Sequence, residues 1–129
     1  MSIKKRSGKR EFVVNVLGVP YKVHLGTTED YPILKKCESS GLCDYSVKKI
    51  WVTDTRLEPL EDDCMSDQNY PTNLVLRHEL VHAYLNESSM EEYAENERLV
   101  NVIAMALPKL YNLCKSAGAI SCLEQGKPA

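Results

Sequence analysis

One stretch of the chain, Thr72–Asn86, has the sequence TNLVLRHELVHAYLN. Apolar residues recur in it at the three- and four-residue spacing of one helix face, which predicts an amphipathic α-helix. They are Leu74, Val81 and Leu85. His78 and His82 belong to the same stripe, because residues four apart lie one above the other on a helix. Both imidazoles are therefore expected to point towards the interior.

The residues His78-Glu79-Leu80-Val81-His82 form an HExxH motif on this predicted helix. Two imidazoles on one helix face can bind a single zinc ion. Glu79 is turned about one hundred degrees around the helix axis from His78, within reach of a metal-bound water molecule but not of the metal. The motif thus predicts a Zn²⁺ site with His78 and His82 as ligands and Glu79 as general base.

Length and composition predict one soluble globular domain. The chain has 129 residues, of which 43% are hydrophobic and 26% charged, values typical of a folded domain. We expect a flexible basic arm over residues 1–11, the domain over 12–116 and a loosely ordered tail over 117–129. Apolar runs of about four to six residues are far shorter than the roughly eighteen that a membrane span needs, so no membrane partner is expected.

The charge balance argues against nucleic acid as a partner. Five of the sixteen Lys and Arg lie in residues 1–10, so eleven remain against eighteen Asp and Glu. A nucleic-acid-binding body would instead carry a basic surface. The basic arm is expected to be solvated.

The cysteines predict free thiols and a cytoplasmic location. Their number is odd, no CxxC pair occurs, and nothing resembles a signal peptide. The five are Cys37, Cys43, Cys64, Cys114 and Cys122. A bridge between Cys114 and Cys122, or a cysteine nucleophile paired with His24, has no positive support.

Before the motif, the pattern predicts a hairpin, a helix and two further strands. Alternation over 12–17 and 21–25 indicates the hairpin, with His24 on its solvent-facing side. Capping signals predict a helix over 29–39, and strands are expected over 42–45 and 48–54, where Trp51 would lie in the core or cover the sheet. The acidic stretch 55–70 is expected to be a long loop that either borders a cleft or is a surface excursion.

A catalytic zinc site usually takes three protein ligands, so a third is expected downstream of His82. Ser88 or Ser89 is predicted to cap a second helix over about 90–112. Its first turns carry Glu91, Glu92, Glu95 and Glu97. Periodicity allows either Glu95 or Glu97 to face inward.

A family resemblance selects between these acids. The stretches 77–88 and 93–104 resemble small zincin-like metallopeptidases of phages and prophages, whose downstream helix has the form N-E-x-x-V-x-x-x-A. In this chain the pattern is Asn96-Glu97, Val100 and Ala104. The resemblance implies Glu97 as the third ligand, with Glu95 in reserve, and a strand over 48–54 that pairs with an extended substrate.

The resulting expectation is an α+β, minimal zincin-like fold. A small antiparallel sheet of three or four strands would pack on the HExxH helix and on a second, ligand-bearing helix. The implied function is hydrolysis of peptide bonds in a narrow protein or peptide substrate by a zinc-activated water, with Glu79 as general base. The alternative is a binding or regulatory module in which zinc only joins two helices.

Overall fold

The computed structural model describes residues 8–58 and 69–121. Cys64, Cys122, most of the predicted loop 55–70 and most of the predicted segments 1–11 and 117–129 lie outside these residues. Among the described helices, none is both long and apolar enough to cross a bilayer.

The predicted hairpin is present. β1 (Arg10–Val16) pairs antiparallel with β2 (Val19–Gly26), and both residues between them, Leu17 and Gly18, have positive φ angles of 51° and 89°. A two-residue turn of this kind matches the twist of the strands that it joins. Because β1 begins at Arg10, the last two residues of the predicted arm belong to the sheet.

The next three elements are α1 (Pro32–Lys36), β3 (Gly41–Asp44) and β4 (Lys49–Thr53). Both strands were predicted, but the helix is shorter than the expected 29–39. The carboxylate of Asp30 accepts a hydrogen bond from the backbone N–H of Thr27 at 2.9 Å. This bond closes a turn before the helix, so α1 starts only at Pro32, where proline has no N–H to lose.

The four strands form one sheet in the order β1-β2-β4-β3. β2 and β4 are parallel, whereas the outer pairs are antiparallel. The expectation of an antiparallel sheet was therefore wrong, and the sheet is mixed. The segment through α1 and β3 carries the chain back along the sheet, so that β4 enters beside β2 in the same direction.

The prediction that His24 faces solvent was also wrong. Its exposure is 7%, because the sheet face that carries it is covered by aromatic side chains. The imidazole stacks on Trp51 with ring centroids 5.3 Å apart and meets Tyr31 edge-on at the same distance. Trp51 thus covers the sheet, as expected.

The HExxH motif lies on α2 (Asn69–Glu87), which packs on the opposite face of the sheet. The contact buries Ala83 against strand residues that are almost fully enclosed, among them Tyr21, Val23, Ile50 and Val52. Glu87, at the end of α2, accepts hydrogen bonds from the Tyr21 hydroxyl and from Lys48 Nζ at 2.5 and 2.6 Å. These contacts fix the helix relative to the strands.

The segment predicted as one helix over 90–112 is two helices, α3 (Glu91–Ala94) and α4 (Glu97–Ser116). Met90, and neither Ser88 nor Ser89, stands at the N-cap of α3. The helix is interrupted at Glu95 and Asn96. The Asn96 side chain accepts a hydrogen bond from Leu99 N at 3.0 Å and so caps the start of a new helix. The described chain is therefore α+β, with four strands and four helices.

Candidate metal centre

His78, His82 and Glu97 meet at one point between α2 and α4. His78 Nε2 lies 2.8 Å from Glu97 Oε2, His82 Nε2 lies 2.9 Å from Glu97 Oε1, and the two Nε2 atoms are 3.2 Å apart. The histidines come together because they are one helical turn apart on α2. Glu97 reaches them from another helix, across nineteen positions of sequence.

The position of Glu97 follows from how α4 begins and where it docks. Asn96 caps the helix, so Glu97 is its first residue. Val100 and Ala104 follow on the inward face and have no exposed surface, and Arg77 Nε donates a hydrogen bond to Ala104 O at 2.8 Å. The first turn of α4 is thereby held against the histidine face of α2.

A backbone carbonyl orients the second histidine. His82 Nδ1 lies 2.7 Å from Ala94 O, and a carbonyl oxygen can only accept, so Nδ1 carries the proton. His82 Nε2 is thereby directed at His78 Nε2 and Glu97 Oε1. Metal-binding histidines are commonly oriented by such a hydrogen bond from the other ring nitrogen.

The three residues fit a zinc ion by type and by spacing. Imidazole nitrogen and carboxylate oxygen are both zinc ligands, and atoms about 2.0–2.1 Å from a tetrahedral ion are about 3.3 Å from one another. The observed separations of 2.8–3.2 Å require the ligands to move apart only slightly.

No fourth side chain joins this group among residues 8–58 and 71–121. Glu95, the reserve ligand of the sequence analysis, caps the end of α3 and lines the same cleft, but it lies outside the group. Cys43 also lines the cleft. Burial, followed by the negative charge of Glu79, raises the pKa of its thiol to about 12, and it is a free cysteine, as are Cys37 and Cys114.

Glu79 is buried beside the ligand group without a hydrogen-bonding partner. Its exposure is 7%, its side chain lines the cleft, and no described residue donates a hydrogen bond to its carboxylate. Burial and, to a smaller degree, the carboxylate of Glu97 raise the pKa of Glu79 to about 8. A group in this state exchanges protons near neutral pH, which is what general acid–base chemistry requires.

Glycine at position 41 allows β3 to approach Glu79. A Cβ at Gly41 would lie 2.4 Å from Val75 Cγ1 and 2.8 Å from Glu79 Oε2, closer than real Cβ contacts. Gly41 is the first residue of β3, and its lack of a side chain lets that strand lie against α2.

The cleft in front of these residues has a volume of about 490 Å³. One wall is β3 and the residues beside it, and the other is α3 with the start of α4. β4 was expected to border the cleft and pair with substrate, but it lies between β2 and β3 and both its edges are occupied. The strand beside the site is β3, which in the described part of the chain pairs only with β4.

Sequence reasoning missed two contributions to the site. The Ala94 carbonyl carries no sequence signal, since any residue has one. Asn96 did carry a signal, because asparagine is a preferred N-cap, but Ser88 and Ser89 offered a competing start.

No protein-family model, curated protein or solved structure matches the chain. The chemistry of the site must therefore be argued from its own residues.

Proposed function

We propose that this protein is a zinc-dependent metallopeptidase with a zincin-like fold. The observation that carries the proposal is the combination of a three-residue ligand group with a buried, unpartnered carboxylate beside it. His78, His82 and Glu97 would hold the ion. A bound zinc supplies a Lewis acid that polarises a carbonyl group and lowers the pKa of water.

Glu79 is the proton carrier in this proposal. It lies beside the ligand group and lines the cleft, where a carboxylate could take a proton from the attacking water and deliver it to the leaving amine. The enclosed position of Glu79 excludes bulk water from the carboxylate. Gly41 leaves the space in which that carboxylate sits.

β3 is the strand that would hold the substrate. Its residues line the cleft, and an extended peptide can add to an exposed sheet edge through main-chain hydrogen bonds. Such pairing would place a substrate carbonyl along the wall that faces Glu79.

The rival function is a module in which zinc only joins α2 to α4. A structural zinc site is normally closed by four protein ligands, whereas the described residues offer three. A buried carboxylate without a partner also has no purpose in a structural site, since it costs stability.

The test is to measure zinc content and proteolysis of the wild type and of Glu79→Gln. Glu92→Gln is the matched control, because it changes one glutamate on the neighbouring helix that does not line the cleft. We expect all three proteins to bind one zinc ion, and only Glu79→Gln to lose cleavage of a broad peptide library. A zinc-loaded wild type that cleaves nothing in the library would overturn the proposal.

A further inference from the structure

The two ends of the cleft differ in charge. At one end, beside Tyr45 and Asn86, the wall is formed by Glu91 and Glu95. At the other end, a pocket of about 250 Å³ is formed by Leu74, Val75 and Asn101 with neighbouring serines, and Glu79 is the only carboxylate among the described residues that line it. His78 and Glu79 line both pockets, so the ligand group lies between an acidic end and an uncharged one.

The carboxylates of the acidic end have no cationic partner. Glu91 and Glu95 are exposed, and no lysine or arginine of the described residues forms an ion pair with either. None of the described residues that line the larger pocket is a lysine or an arginine. Elsewhere on the surface such pairing does occur, as between Lys22 and Glu11 at 3.3 Å and between Lys48 and Glu87 at 2.6 Å.

The negative charges of Glu91 and Glu95 would remain when the proposed site holds a metal ion. Histidines bind metal in their neutral form, so a divalent ion meets the charge of Glu97 directly, whereas Glu91 and Glu95 lie outside the ligand group. The charges of Glu91 and Glu95 are then left over, in a cleft whose walls concentrate the field. The buried and unpartnered Glu79 is an independent sign that the cleft is built to receive a ligand, because an isolated buried carboxylate is otherwise costly.

We propose that the substrate is a polypeptide segment with a lysine or arginine next to the cleaved bond, on the side that contacts Glu91 and Glu95. This inference rests on the proposed function and assigns a substrate class to the same cleft. An extended chain on β3 runs from one end of the cleft to the other. The basic residue is therefore required on one side of the bond only, and an uncharged residue occupies the pocket at Leu74 and Val75.

Binding tests the inference without relying on catalysis. The probes are two fluorescein-labelled decapeptides of one alanine- and leucine-based sequence, one with three lysines and the other with three glutamines in their place. Zinc-loaded Glu79→Gln is expected to bind the lysine peptide more tightly at low ionic strength. Adding Glu91→Gln and Glu95→Gln should weaken that binding about fivefold, the effect expected of two exposed ion pairs.

Glu92→Gln in the same background is the matched control. It removes one negative charge from the helix that carries Glu91 but lies outside the cleft, so the preference for the lysine peptide should persist. Equal affinity for the two peptides, including failure to bind either, would overturn the inference. An equal loss in the Glu92→Gln control would do so as well, because it would show attraction to net charge alone.

The cleavage profile separates failure of this inference from failure of the proposed function. The zinc-loaded wild type should cut library peptides with lysine or arginine enriched on one side of the bond, and Glu91→Gln with Glu95→Gln should reduce that enrichment at unchanged zinc content. Cleavage without enrichment of lysine or arginine would refute the proposed substrate class but not the proposed peptidase activity. Absence of both zinc binding and cleavage refutes the peptidase itself.

Discussion

The three histidines of the chain occupy two environments that differ in what their ring nitrogens meet. His24 Nδ1 lies 3.1 Å from the Ile50 carbonyl oxygen, its Nε2 faces Glu11 at 3.9 Å, and its ring is enclosed by aromatic side chains. His78 and His82 instead direct their Nε2 atoms at a common point. The nitrogens of His24 have partners inside the fold, whereas the two convergent Nε2 atoms face the cleft as a candidate pair of ligands.

The carboxylates beside the histidines differ in the same way. Glu11 lies 3.3 Å from Lys22, whose hydrogen bond lowers the pKa of that carboxyl. Among the described residues, Glu97 contacts no lysine or arginine, and its charged contacts are the two histidines. Glu11 has a cation supplied by the protein, whereas the partners of Glu97 among the described residues are the two imidazoles.

The largest expected effect is on zinc affinity. His82→Ala should weaken binding by more than about a hundredfold, since even loss of a residue that only orients a ligand costs about 10–100-fold. His24→Asn should leave the affinity unchanged. Competition with a chromophoric chelator measures the zinc affinity of both variants. Comparable losses of affinity would show that the two histidine environments do not differ in metal binding.

Glu79→Gln should change how the metal-free protein responds to pH. Because burial raises the pKa of Glu79 from 4.5 to about 8, the native state binds more protons than the unfolded state between these values, and stability falls as pH rises through that window. Glutamine removes the charge, so the variant should be more stable than the wild type by about 2–3 kcal/mol at about pH 6.5 and equally stable at about pH 4. Urea unfolding in EDTA provides the measurement, and parallel pH profiles for the two proteins would contradict it.

His24→Ala should lower the free energy of unfolding by about 2 kcal/mol, through loss of packing and of a buried hydrogen bond. In the metal-free protein, His78→Ala should cost less, because His78 is more exposed and lies beside the open cleft. Urea denaturation of both variants compares the two sites directly. A larger loss for His78→Ala would show that the metal cluster, and not the His24 cluster, supports the fold.

The smallest expected effect distinguishes Glu97 from Glu95 as the zinc ligand. Glu97→Gln should weaken zinc binding about tenfold by replacing an anionic ligand with a neutral one, while Glu95→Gln should leave it nearly unchanged. The same chelator competition applies. A greater loss for Glu95→Gln would mean that the ion is held by the residue outside the ligand group.

Much of the fold could be predicted because its elements carry local patterns. Alternation identifies the β1–β2 hairpin and β4, and three- to four-residue spacing identifies α2. The parallel pairing of β2 with β4 has no such signal, since it depends on the path of the chain between them. The burial of His24 also escaped prediction, because it arises from Trp51 and Tyr31, which are distant in sequence.

The candidate site also combines residues that a local sequence pattern predicts with residues that depend on long-range packing. His78, Glu79 and His82 belong to one short motif on a single helix, so their proximity could be predicted from the sequence. Glu97 needed a family pattern, since periodicity left Glu95 as an equal choice until the break at Asn96 was visible. The contributions of Gly41 and of the Ala94 carbonyl depend on how β3 and α3 pack against α2, which the sequence does not encode locally.

The start of α4 at Asn96 has a consequence for the whole domain. Because Glu97 is the first residue of a separate helix, it meets the histidines only while Val100 and Ala104 keep that helix docked. Binding of an ion at the proposed site would therefore be thermodynamically linked to docking of α4, and each would strengthen the other by the same free energy. A substitution on the buried face of α4, far from any ligand atom, would therefore first reduce the affinity for the metal ion, before any secondary structure is lost.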